Sequence, residues 1–193
     1  LCLAKRTVHL TVSPSGAAVV QQELGFTLNP REPDVARLVA HSPSWSSERH
    51  RRLAEETDWS SLLSTMHCHA YDDYMTPIAS GSFRTRAMVV CPCSGSTLSG
   101  IARAAASNLI QRAAEVHLKE QRKLVLVPRE TPLSVLQLEN MHRIASAGGI
   151  LLPAMPGWYH GVESLDDMID FVVGRILDQL NVANELIERW KDG

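Results

Sequence analysis

KLVLVPRETPLSVLQ, running from Lys123 to Gln137, is the stretch on which the fold turns. Leu124 to Val127 make a short unbroken aliphatic run, which suits a parallel strand covered on both faces. The carboxyl end of such a strand opens onto the crevice where α/β sheets bind ligands. There the chain sets Pro128, Arg129, Glu130 and Thr131 in immediate succession. Taken alone, one charged pair is most often a solvated loop.

The neighbouring segments repeat the pattern. Ala87 to Cys91, AMVVC, reads as a buried strand, and ILLP after Gly148 and Gly149 as another. Spacing predicts helices over Thr97 to Ala106, Asn108 to Lys119 and Leu133 to Ala147. Ser164 with Asp167 three residues on forms a capping box, opening an amphipathic helix that reaches Leu180.

Nearer the start, Leu1 to Ala4 read as the last turn of a helix and Thr7 to Val12 as a strand, so the sequence opens inside a βαβ unit. Ser13 can cap the next helix, Pro14 suits its first position and Gly25 marks its stop. Phe26 to Ser64 is polar and rich in loop residues, predicting irregular surface structure with at most a short helix. STMHCHAY reads as a strand and MTPIASGSFRT as a small-residue loop. Strands alternating with helices make an open, mostly parallel α/β sheet.

The 193 residues are 45% hydrophobic and 21% charged, enough for a real core within one domain spanning 1–193. A formal net charge of -2 and only 5% aromatic residues argue against a nucleic-acid surface. Small molecules or other protein chains are the expected partners. Cys2, Cys68, Cys91 and Cys93 contain no C-x-x-C pair, and no secretory leader or membrane-spanning run is visible. The expectation is a soluble cytosolic protein with reduced thiols. His67 and His69 would share one strand face, but a second pair of ligands at zinc spacing is missing.

Four places carry candidate chemistry. In VVCPCSGSTLSG a strand breaks into Ser94, Gly95, Ser96 and Thr97 before a helix opens, so backbone N–H groups and hydroxyls could cradle a phosphate or flavin. The competing reading is a tight turn. Arg112 and Lys119 lie seven apart, two helical turns, with Glu115 between them to lace a solvated face. Arg175 extends the apolar stripe of Phe171 and Val172, where a cation needs an anion to meet. Tyr159 stands beside Trp158 in PAMPGWYHG, where both aromatics could equally plug the sheet edge. Each cation is ordinary singly; with Tyr159 and Arg129 they suit a dianionic phosphate monoester.

SGSF, PCSGSTLSGIA, NLIQRAAEVHLKE, LVLVPRETPL, GGILLPAMPGWYHGVESLDDMIDFVVGRILDQL and the late ERW together resemble the flavin prenyltransferases of the UbiX/Pad1 type. The likeness runs from Thr7 to Trp190. It implies a flavodoxin-like, Rossmann-like three-layer open parallel α/β fold, assembled as a homododecamer with reduced flavin mononucleotide (FMN) where subunits meet. It further implies transfer of the dimethylallyl group of dimethylallyl phosphate to N5 and C6 of that flavin. The product is the prenylated FMN that UbiD-type decarboxylases use, and no metal is required.

Carried over by position, Ser13, Ser94, Gly95, Ser96, Thr97 and Arg129 would contact the flavin nucleotide. Arg112, Lys119, Arg129, Tyr159 and Arg175 would hold the substrate phosphate. Glu23, Lys119 and Glu130 would carry the chemistry, the two glutamates handling protons and the leaving phosphate. Ionising an allylic C–O bond leaves a carbocation and a phosphate, so cations at the phosphate favour the transition state and an aromatic flavin face shelters the carbocation.

Two departures stand out. The family's first strand and Gly-Ala-Ser-Gly turn have no counterpart before Leu1, and Ser96 replaces the lysine of the commoner Ser-x-Lys-Thr pattern. The rival enzyme, a flavin-dependent cysteine decarboxylase of the same superfamily, calls for an active-site histidine after an early strand and an Asn-rich motif, and neither is evident. A flavin carrier is the non-enzyme alternative.

Overall fold

The aliphatic run forms the strand Lys123–Pro128, one residue longer at each end than the sequence predicts. Leu124, Val125 and Leu126 are fully buried and Val127 is 1% exposed. Successive side chains of a strand point to opposite faces, and here each face meets a separate core. Leu124 and Leu126 pack with Val90, Cys93, Leu98, Ile101, Ala114 and Ile144. Val125 and Val127 pack with Ile176, Leu180 and Val182. Burying each such side chain stabilises by about 1.5–3 kcal/mol.

The structure is a computed structural model that describes residues 1, 4–40, 48–158, 162–187 and 189. In chain order its elements are β1 (Val8–Thr11), α1 (Pro14–Leu24), α2 (Val35–Ala40), α3 (Glu48–Glu56), α4 (Trp59–Leu63) and β2 (Met66–His69). A 3-10 turn at Pro77–Ala79 leads to β3 (Ala87–Cys93), α5 (Gly95–Ala102), α6 (Leu109–Lys119) and β4 (Lys123–Pro128). Last come α7 (Val135–Ser146), β5 (Ile150–Leu151) and α8 (Leu165–Gln179). The described strand pairings are all parallel, in two ladders, β1–β2 and β3–β4–β5. The parallel α/β class is as the sequence predicts; β1 and β3, however, are not hydrogen-bonded to each other.

Helix ends follow their caps. Ser13 accepts from the Gly16 N–H at 3.0 Å, Pro14 opens α1, and Gly25 closes it at φ 76. The capping box of Ser164 and Asp167 starts α8. α5 begins at Gly95 and stops at Ala102, short of the predicted Ala106, because Ser94 is its cap and Ala104 turns to φ 51. Ala4 and Lys5 form a turn, and Cys2 and Leu3 of the predicted helix end lie outside the described residues.

The largest departure is the segment between Phe26 and Ser64, which holds α2, α3 and α4 where irregular structure was expected. α3 is mostly charged and carries an exposed Arg52–Glu48 pair at i,i+4 spacing, so the sequence was read there as polar surface. α4 is short and is set by Asp58, which accepts from the Ser61 N–H at 3.3 Å.

His9 joins His67 and His69 on one face of the β1–β2 ladder. The His9 ring stacks on both, at 5.0 and 5.2 Å, and His9 Nδ1 lies 2.9 Å from His69 Nε2. Burial, then the neighbouring imidazoles, lowers the pKa of His9 and His69 below the ordinary 6.5, with Asp73 opposing at His69. The folded chain therefore binds fewer protons than the unfolded chain, so this contribution is full above pH 6.5 and is lost as pH falls through the lowered values. Urea denaturation at pH 7.5 and 5.5 should show lower stability at the acid value, and the difference should shrink in His9→Gln. Leu126→Ala should cost about 2–5 kcal/mol in the same assay.

Candidate active site

The site is built where β3 and β4 end. β3 loses its regular register between Val90 and Cys93, at Pro92, which has no N–H to give a ladder. The buried Cys93 thiol there is pushed up to about 12 by burial, then by Cys91. Ser94 follows and caps α5, its Oγ accepting from the Thr97 N–H at 3.3 Å. Ser94 Oγ also lies 3.0 Å from Ser96 Oγ and donates to Thr97 Oγ1 at 3.1 Å. The N–H groups of Gly95 and Ser96 have no carbonyl one turn back, and the helix start is electropositive.

Glu130 and α7 close over this loop. A Cβ at Gly95 would stand 3.2 Å from Gln137 Nε2 and 3.7 Å from Glu130 Oε2, so glycine permits the approach. Arg129, next along, sets one guanidinium nitrogen 3.2 Å from Glu23 Oε1 at the far end of α1, with both side chains more than half exposed. The same cation pulls down the Cys91 thiol, which burial raises by more. Glu23, Cys91, Ser94 to Thr97, Arg129, Glu130 and Gln137 thus form one group. Ser13 caps the other end of α1, about 15 Å from Glu23 at 1.5 Å per residue.

Arg112 and Lys119 belong to a second group, on α6. Arg112 Nε donates to the Ala79 carbonyl at 3.1 Å, and a terminal nitrogen lies 3.9 Å from Glu115. Lys119 pairs with Glu120 at 3.1 Å rather than with Glu115. A Cβ at Gly81 would collide with the Glu120 carboxylate and stand 3.1 Å from Lys119 Nζ.

Arg175 is in a third place, lining a shallow hollow between β5 and α8 with Ile150, Leu152, Phe171 and Val172. The anion it meets is Asp178, at 3.0 Å on its own helix, so the side chain sits at the rim, 48% exposed, rather than inside the core. Arg189, then Asn184 and Arg175, hold the Asp178 carboxyl below the usual range. Tyr159 lies outside the described residues; its neighbour Trp158 is 72% exposed rather than packed on the sheet edge.

The contacts among described residues do not join Arg112, Lys119 or Arg175 to the Arg129 group. Sequence reasoning did not single out Gln137, which completes a capping box with Ser134, or Arg122. The alternation of SGSFRTR was the available signal for the second. Among the described residues no cluster of three His, Cys, Asp or Glu side chains could hold a metal ion. No helix among them is long and apolar enough to cross a membrane.

Parallel strands ending in a hydroxyl-lined helix start and a charged loop define an α/β nucleotide-binding architecture. The Flavoprotein family profile matches residues 3–177. A flavin prenyltransferase UbiX from Halalkalibacterium halodurans is 43% identical over 95% of this chain and 79% of its own length. The solved AnUbiX (PadA1), in complex with FMN and dimethylallyl pyrophosphate, is 40% identical over 76% of this chain and 80% of its own, with a TM-score of 0.65. A dodecameric FMN-dependent UbiX-like decarboxylase from Escherichia coli O157:H7 is 35% identical over 95% of this chain and 82% of its own, with a TM-score of 0.69. The chain belongs to the Flavoprotein family, on its UbiX flavin prenyltransferase branch.

The exposed Arg129–Glu23 pair should contribute little to folding. Glu23→Gln is expected to change stability by less than about 1 kcal/mol in urea denaturation, so any functional loss in that variant acts at the site itself.

Proposed function

We propose that the protein is a flavin prenyltransferase of the cytoplasm, one domain over residues 1–193. It transfers the dimethylallyl group of dimethylallyl phosphate to N5 and C6 of reduced FMN and releases phosphate. The prenylated FMN then serves a UbiD-type decarboxylase. The observation that carries this reading is the approach of Glu130 to Gly95 within the hydroxyl-bearing Ser94–Thr97 loop, where β3 and β4 end and Arg129 pairs with Glu23, in a chain with UbiX relatives across most of its length.

The residues present fit the flavin nucleotide. Free N–H groups at Gly95 and Ser96 and three clustered hydroxyls suit its phosphate, and the hydroxyls stand even though Ser96 brings no lysine charge. Reduced FMN supplies the nucleophilic atoms. The C–O bond of the allylic ester breaks with its electron pair leaving on the phosphate, where Arg112, Lys119, Arg129, Tyr159 and Arg175 offset the growing charge. Glu130 gives that phosphate a proton, and Glu23 accepts one.

Arg112 and Lys119 project from α6 to meet Ala79 and Glu120, Arg175 meets Asp178 on α8, and Arg129 lies beside Glu23. That separation within one chain favours a site completed where copies meet, in a homododecamer.

Anaerobic incubation with reduced FMN and dimethylallyl phosphate, followed by mass spectrometry of the released flavin, tests the proposal. A gain of one prenyl unit is expected, and a flavin held tightly but unchanged would favour a carrier or a cysteine decarboxylase instead. Glu130→Gln should keep FMN bound and lose transfer by about 10²-fold or more.

A further inference from the structure

Between the 3-10 turn and β3 the exposure of the chain alternates residue by residue. Ser80, Ser82, Arg84 and Arg86 are exposed, whereas Gly81, Phe83 and Thr85 are half-buried. A period of two is that of an extended strand, but the groups that hold it come from α6 and the turn after it. Arg112 Nε donates to the Ala79 carbonyl at 3.1 Å. Arg122 donates to the Gly81 carbonyl with one terminal nitrogen and to the Phe83 carbonyl at 2.7 Å with the other. Thr85 Oγ1 lies 2.9 Å from His117 Nε2. His117 Nδ1 stands 2.8 Å from the Ala113 carbonyl, so Nδ1 carries the proton and Nε2 accepts from the threonine hydroxyl.

Every odd position from 79 to 85 is therefore tied to one helix and its end, and Arg122 alone ties two. A planar fork with fixed donors on separate nitrogens suits this better than an ammonium, whose three donors share one nitrogen. The Arg122 side chain is 15% exposed, with Glu120 at 3.9 Å. Because a trans peptide sets C=O and N–H on opposite sides, aiming the Gly81 carbonyl at Arg122 turns the Ser82 N–H the other way. On that outer side the Ser80 and Ser82 hydroxyls meet at 2.9 Å.

We propose that Arg122 is a positioning residue for the phosphate site. It fixes the Gly81–Phe83 backbone against α6 and so sets the distance between that backbone and the cations of Lys119 and Arg112. This rests on the phosphate-binding role given to those two residues above. Arg122 touches neither substrate nor flavin; it acts through the segment it holds.

The test uses the full chain with Arg122→Met and Arg122→Lys, and two readouts. Titration with inorganic phosphate followed by 31P NMR should show at least about tenfold weaker binding in Arg122→Met and a smaller loss in Arg122→Lys. Steady-state transfer should show KM for dimethylallyl phosphate rising by a similar factor, with kcat within about threefold and FMN affinity unchanged. Unaltered phosphate affinity and KM in Arg122→Met would overturn the proposal. So would a loss of phosphate and FMN affinity in parallel with thermal stability, which is the signature of a purely structural role. Absence of transfer in the unaltered protein, with phosphate binding still dependent on Arg122, would instead overturn the prenyltransferase reading and leave the positioning role standing.

Discussion

The β3–β4–β5 sheet and the helices packed on it are arranged around the double-sided burial of β4. Its four aliphatic residues alternate between two cores, so one strand both joins those cores and keeps them apart. Neither face can tolerate a polar group, which leaves the strand ends as the nearest places for charge. Arg129 and Glu130 appear at the first exposed positions after Pro128. Their adjacency follows from the point at which burial stops.

The same limit shapes the ends of β3. Pro92 ends regular pairing, Ser94 starts α5, and the hydroxyls of Ser94, Ser96 and Thr97 gather at the electropositive helix start. Gly95 then lets Glu130 and Gln137 come close. Anion-binding capacity and an acid are thereby set side by side by two strand ends and two helix caps, without a dedicated loop. The cations of α6 follow a different logic, since that helix is buried along most of its length and can show charge only near the 3-10 turn and at its end.

Elements with strong local determinants were legible in the sequence: β4 from its aliphatic run, α1 from Ser13, Pro14 and Gly25, and α8 from its capping box. α3 was not, because its residues are mostly charged and the local determinant visible in it is an exposed Arg52–Glu48 pair. The residues of the site were legible as types, but their grouping was not. Arg175 looked core-facing from its position after Val172, whereas Asp178 draws it to the rim. The clamp on residues 79 to 85 depends on side chains more than thirty residues away, and such pairings are a property of the folded chain alone.

The two extended parts of the chain differ in how much they let the sequence change length. β1 and β2 bring His9 and His69 together across 60 residues. The entropy of closing such an excursion grows only logarithmically, so doubling it adds about 0.6 kcal/mol. The stretch carrying α2 to α4 can therefore gain or lose residues over evolutionary time while β1 and β2 keep their register. The run from Ser80 to Arg86 has no such freedom: deleting a single residue would reverse its alternation and turn the serine side toward Arg122 and His117. Insertions and deletions among relatives should accordingly collect in the first segment and avoid the second.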